Sequence, residues 1–210
     1  MKRYNLLTEE SQDIEILTEQ TNAGKQLYIQ GIFAQAEILN GNKRKYSRQV
    51  MESAVQRYND QYISKNRAIG ELNHPDRPFP DVSEAAIRIT EMKMDGNNVI
   101  GKAIVLNTPK GQIIKGLLEG GFALGVSTRG LGSLKEQDGV KMVQSDFMMT
   151  AVDAVDGPSA PDAVVNHLYE STQWMLNEST GVWTPVNERG DEINEQQILE
   201  KLEQLFKGKR

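Results

Sequence analysis

Ser127 and His74 are the residues whose types and settings suit nucleophilic chemistry. Ser127 stands in Gly125-Val126-Ser127-Thr128-Arg129-Gly130, directly after the apolar run Phe122-Ala123-Leu124. Glycines on both sides leave room for another backbone to approach it. A serine hydroxyl needs a base before it can attack a carbonyl, and the chain has only two histidines. His74, in Gly70-Glu71-Leu72-Asn73-His74-Pro75, is steered away from helix by the proline that follows it. An extended backbone there would hold its ring in place. A triad needs a third group on the far imidazole nitrogen. Asp153, in Thr150-Ala151-Val152-Asp153-Ala154-Val155, lies among small apolar residues on an expected core strand, where a carboxylate requires a partner. Asp146 and Asp156 are the other acids of that region; Asp156 suits a turn cap before Gly157-Pro158, and His167 lies in a polar segment. Arg129 supplies a cation and Gly130 a free amide, parts from which an oxyanion or substrate-binding site could be built.

The bland readings stay open on these residues alone. Most serines end strands or sit in turns, and most loop histidines bond a backbone carbonyl. The serine is not at an α/β-hydrolase elbow, because Arg129 occupies the position where Gly-x-Ser-x-Gly requires glycine. No phosphate loop, dinucleotide fingerprint or metal-ligand cluster stands out, so no metal and no cofactor is expected.

The elements that must position these groups follow from pattern. Leu27 to Ile38 is rich in β-branched and aromatic residues and meets the Asn40-Gly41-Asn42 turn, which reads as a strand with a bulge at Gly31. Ser47 is placed as an N-cap, and Val50, Met51, Ala54, Val55 and Tyr58 follow at helical spacing, predicting a helix to about Tyr62. Residues 66–80 read as a loop. Ile87 to Met94 and Val99 to Leu106 form a hairpin around Asp95-Gly96-Asn97-Asn98. Thr108-Pro109 opens a helix over 112–118, stopped by Gly120-Gly121. A short strand then feeds Ser127, residues 130–139 form a loop, and 140–155 give one or two strands. Residues 1–24 are polar and read as a flexible N-terminal segment; 25–165 form the folded domain; 166–210 are a polar tail with no strand able to join the sheet. Six or seven strands and two or three helices make a mixed α+β core.

Composition bounds the function. A chain of 210 residues with 38% hydrophobic residues suits one substantial core. A net charge of -5 argues against nucleic acid as a partner, since its footprint is basic. The absence of cysteine excludes disulfides and thiolate nucleophiles. No segment reads as a signal peptide or a membrane span, so a cytoplasmic protein is expected, with no membrane partner.

Three long motifs, occurring in order, carry a resemblance. Gly70-Glu71-Leu72-Asn73-His74-Pro75, Gly125 to Ser133, and Val152-Asp153-Ala154-Val155-Asp156-Gly157-Pro158-Ser159-Ala160-Pro161-Asp162-Ala163 are similar to the prohead core proteases of large contractile-tailed phages. Tyr28 to Phe33 and Asn42 to Tyr46 match as well. The resemblance covers about residues 26–165. It implies an assemblin-like serine endopeptidase: a small antiparallel or mixed β-barrel surrounded by helices, with flexible tails at both ends. It implies Ser127 as nucleophile and His74 as general base. Assemblins use a second histidine as third member; none stands on the strand after Ser127, so Asp153 is expected there, ahead of Asp146. It further implies an enzyme inside the immature capsid in the host cytoplasm, as a homo-oligomer, cutting scaffold proteins, the major capsid protein and finally itself. Cleavage is expected after Glu when Leu or Ile lies two residues upstream, with Arg129, Arg88 and Lys102 as candidate cations for the Glu pocket. Activity should fall at pH values where His74 is protonated. The alternatives are a non-catalytic capsid-assembly or scaffold component of the same fold, and an esterase using the same dyad.

That preference can be looked for in the chain itself. Ten of its eighteen Glu follow Leu or Ile by two positions, against about three expected from residue usage. Six lie in the two terminal segments: Glu9, Glu19, Glu170, Glu178, Glu195 and Glu200. These are the candidate self-cleavage sites, and both tails read as pro-segments.

Overall fold

The computed structural model describes residues 3–11, 14–21, 24–156, 173–178 and 180–186. The strands are β1 (Arg3–Ser11), β2 (Ile14–Thr21), β3 (Gly24–Gln35), β4 (Arg44–Lys45), β5 (Ile69–Glu71), β6 (Ala85–Asp95), β7 (Asn98–Val105), β8 (Gly125–Gly132), β9 (Leu134–Gln137), β10 (Val140–Val143), β11 (Met148–Val155), β12 (Gln173–Asn177) and β13 (Val182–Val186). Among the described residues the two α-helices are α1 (Arg48–Tyr58) and α2 (Pro109–Glu119).

Both helices start where capping chemistry places them. The Ser47 side chain accepts the Val50 N–H, and Thr108 accepts that of Gly111, with Pro109 in the first turn. Helix α1 buries Val50, Met51, Ala54, Val55 and Tyr58 and runs into a π-helical turn at Asn59–Ile63. Helix α2 turns Ile114 and Leu118 inward. These faces join Ile29, Phe33, Ile87, Ile89, Val126, Phe147 and Val152 in one main core. Each fully buried large aliphatic side chain contributes about 1.5–3 kcal/mol.

The strands form three sheets: β11-β8-β1-β12-β13, β4-β10-β9 and β2-β3-β7-β6-β5. The α+β class therefore holds, but the expected barrel does not, because the sheets are not closed on one another. The physical reason is visible where β5 meets β11. β5 has only three residues, and its chain continues toward Pro75, Pro78 and Pro80, which lack ladder donors. One parallel bridge, Leu72 to Ala154, spans the gap instead of a ladder.

Four further expectations are corrected. The N-terminal segment is not a flexible leader: β1 inserts between β8 and β12, and β2 pairs along β3. Part of the C-terminal tail, 173–186, is a hairpin that joins the first sheet through β1. Ser127 does not end a strand that feeds a loop; β8 runs on through Gly132, and β9 and β10 form a hairpin in the expected loop. The bulge in β3 falls between Ile32 and Ala34, not at Gly31.

Candidate active site

Ser127 lies in a strand paired on both sides. β11 runs antiparallel to β8 with Asp153 directly across from Ser127, and opposed residues of an antiparallel pair project to the same face. Register alone thus puts the hydroxyl and the carboxylate side by side. Both residues are fully buried.

His74 reaches this face from the β5 loop. Gly70 must be glycine, because a Cβ there would come within 1.8 Å of the Val152 carbonyl oxygen. That close approach lets the next residue, Glu71, donate its N–H to Asp153 Oδ1 at 2.9 Å. Asn73 adopts φ +64° and donates its N–H to the Ala154 carbonyl at 2.7 Å. Asparagine tolerates this left-handed region better than most residues. The chain turns there, and His74 Nδ1 meets Asp153 Oδ2 at 2.8 Å. The Nε2 atom of His74 and the Oγ atom of Ser127 are buried and have no hydrogen-bond partner among the described residues.

Arg129 completes the cluster. From two positions along β8 its Nε donates to Asp153 Oδ2 at 2.9 Å and its Nη2 to Oδ1 at 3.1 Å, while Nη1 donates to the Arg77 carbonyl at 2.6 Å. Burial alone would push the Asp153 carboxyl up. The bond to His74, the Arg129 charge and the Glu71 amide together outweigh it and hold the group below its ordinary value. Glu71, also buried, accepts from Arg77 Nη2 at 2.8 Å and from the Asp81 N–H. Its carboxyl is raised, burial outweighing the Asp81 amide and the charges of Arg129 and Arg77.

The remaining sequence candidates are distributed as follows. Asp146 accepts from the Ser133 amide at 3.0 Å and its hydroxyl at 2.8 Å, a turn cap away from His74's partner. Gly130 packs under Phe147, where a Cβ would approach its ring to 2.5 Å. Arg88 bonds Asn66 at 3.0 Å, and Lys102 pairs with Glu19 at 2.5 Å over the Tyr28 ring. Glu178 is exposed in the turn between β12 and β13. His167, Glu170, Glu195 and Glu200 lie outside the described residues.

Sequence reasoning missed a second cluster. β1 runs antiparallel along the other edge of β8, with Glu9 across from Thr128 and Glu10 across from Ser127. The Glu9–Glu10 peptide is thereby laid alongside the serine. Leu7 is buried in the main core, and Glu9 is only 8% exposed. The Glu9 carboxylate accepts from Tyr46 Oη at 2.8 Å and from Asn40 Nδ2, and pairs with Arg44 Nη1 at 3.4 Å. The turn sequence Asn40 to Tyr46 was legible, but nothing local says that its polar side chains converge on a strand more than thirty residues earlier.

The site thus groups a serine, a histidine bonded to a buried carboxylate, and a chain segment laid along the serine's strand, and the class of protein is given by comparison with known families. The family model for the prohead core protein serine protease matches residues 8–173, and the chain belongs to that family of capsid-maturation proteases of bacteriophages. It is similar to the prohead core protein protease of Enterobacteria phage T4, at 46% identity over 143 residues, spanning 66% of this chain and 68% of that protein. It is also similar to the solved structure of the bacteriophage T4 capsid assembly protease, gp21. That likeness has a TM-score of 0.70 and 39% identity and covers 73% of this chain and 99% of that one.

Proposed function

We propose that this chain is a serine endopeptidase that cuts after Glu in Leu/Ile-x-Glu sequences, and that its own Leu7-Thr8-Glu9 is the first such sequence. His74 takes the hydroxyl proton of Ser127 as the oxygen attacks the Glu carbonyl, then gives it to the leaving amine. Asp153, ionised between Arg129 and the Glu71 amide, holds the imidazole by Nδ1 and stabilises the imidazolium. Arg129 acts through Asp153, and the backbone amides around Arg129 and Gly130 offer donors to the oxyanion.

The observation that carries this reading is β1. It places a Leu-x-Glu sequence beside Ser127 with the Glu carboxylate in a pocket of Tyr46, Asn40 and Arg44. These groups, not Arg129, Arg88 or Lys102, are the Glu-recognition set. While β1 is present, Ser127 is covered, so the chain is a zymogen. Once β1 leaves, the vacated edge of β8 accepts a substrate segment as an added strand. The substrates are phage scaffold proteins and the major capsid protein, the setting is the interior of the immature capsid in the host cytoplasm, and the enzyme works as a homo-oligomer. Residues 1–24 and 166–210 are its pro-segments.

Incubating the purified chain and mapping new termini by mass spectrometry tests this. A new N-terminus at Glu10 is expected in the wild type, with Ser127→Ala remaining intact. An uncut wild type, or the same trimming in Ser127→Ala, would overturn it.

A further inference from the structure

β1 is held from two sides, and only one of them is the catalytic domain. Asn5 to Ser11 pair with β8, while Arg3, Tyr4 and Asn5 pair with Met175, Trp174 and Gln173 of β12. β13 continues the sheet from β12 alone. Among the described residues, the hairpin's sheet connection therefore runs entirely through β1.

The side chains make a seam along the same line. Trp174 is buried with Leu6 and Leu131, and Tyr4, Phe79, Met148 and Trp183 pack against them, in a cluster separate from the main core. The Trp183 ring meets Tyr4 edge-on, with centroids 5.3 Å apart, and lies 6.2 Å from Phe79. Phe79 belongs to the loop that also carries His74. The hairpin thus touches both the pro-strand and the histidine loop.

We propose that the β12–β13 hairpin is a latch that keeps β1 in the cleft, so that cutting the Glu9–Glu10 bond does not by itself uncover Ser127. This rests on the reading of β1 as a removable pro-strand. Hydrolysis adds water across one peptide bond and removes only the covalent tether. The freed segment 1–9 still fills a gap between two strands, and it cannot leave without stripping β12 of its partner and exposing Trp174 and Leu6. Stability is reciprocal across such a junction: whatever loosens the hairpin loosens β1 equally. Release then belongs to the C-terminal segment. The Leu176-Asn177-Glu178 sequence at the hairpin turn, with Leu176 half-buried and Asn177 and Glu178 exposed, is where a second cut would divide β12 from β13.

The test uses the full chain. In the Ser127→Ala background, adding Trp174→Ala and Trp183→Ala should speed amide hydrogen exchange in residues 3–9 about tenfold or more, with β3 and β7 amides unchanged. Equal exchange with and without the tryptophans would mean β8 alone holds β1, and would sink the latch. The cysteine-free sequence permits a second arm. Arg3→Cys with Met175→Cys should form a disulfide on oxidation; failure to form it overturns the docking. In the active enzyme the crosslinked form should cut Glu9–Glu10 at the wild-type rate yet cleave a Leu-x-Glu peptide about tenfold more slowly until reductant is added. Unchanged peptide turnover in that form also overturns the latch. If Glu9–Glu10 stays intact in every form, the pro-strand reading fails, while exchange in the Ser127→Ala background still decides the latch.

Discussion

At the scale of single residues, Asp153 joins the site's chemistry to its stability. Its carboxyl is held below its ordinary value although it is fully buried. A depressed acid contributes stability that is complete above its unfolded value and is lost as pH falls through the lower, folded value. Asp153→Asn should therefore cost about 3–5 kcal/mol at neutral pH, because buried Arg129 loses its bidentate carboxylate and keeps only the Glu71 carboxylate at 3.9 Å. The gap from wild type should shrink as pH drops below the ordinary carboxylate range. Urea melts of both forms at neutral and acid pH check the sign. The same substitution should lower turnover by about 10⁴ by upsetting the imidazole tautomer. In the Glu pocket, Arg44→Leu should reduce kcat/KM for Leu-x-Glu peptides about 10- to 100-fold, the range of one charged hydrogen bond. The Leu-x-Gln peptide should be affected far less; equal loss on both would mean Arg44 serves folding alone.

At the scale of elements, the site depends on how closely β5 lies against β11. Gly70→Ala would drive a methyl into the Val152 carbonyl, a backbone atom with little freedom to move. Overpacking of this kind costs about 1–3 kcal/mol, and the upper end is expected here, lowering Tm by about 6–12 °C. Activity should fall further than stability, because Glu71 and His74 are carried on the displaced segment; calorimetry and peptide assays on one preparation separate the two. By contrast, Ser47→Ala removes only the N-cap of helix α1, a side chain that accepts the Val50 N–H. It should cost about 1 kcal/mol in a urea melt and leave kcat unchanged.

At the scale of the whole molecule, strand β1 and the β12–β13 hairpin, far apart in the sequence, join the sheet that contains Ser127. β1 lies between β8, which carries Ser127, and the β12–β13 hairpin, so strands from both ends of the described sequence are structural members of the first sheet. An open sheet is what makes this possible. A closed barrel has no vacant edge, whereas β8 offers an edge that β1 fills, and under the proposed mechanism a substrate segment takes that edge in turn.

How much was legible in the sequence varied with how local the determining physics is. The caps at Ser47 and Thr108, the turn at Asp95-Gly96 and the helical faces are set by neighbours in the chain, and they stand where the pattern puts them. The motifs around His74, Ser127 and Asp153 were enough to place the family. Asp153 was singled out because a carboxylate among small apolar residues demands a partner, a requirement that depends on burial and not on distance along the chain. Tertiary structure alone decided the rest. Polar, charged β1 resembles a solvated tail because its partners, β8 and β12, lie more than a hundred residues away. Arg129 was available as a surface cation until the β8–β11 register pointed it at Asp153. Asn40, Arg44 and Tyr46 were turn residues until β1 brought Glu9 among them. Strand pairing between distant segments leaves no periodic trace in either one, and that pairing laid β1 alongside Ser127 and set Glu9 among Asn40, Arg44 and Tyr46.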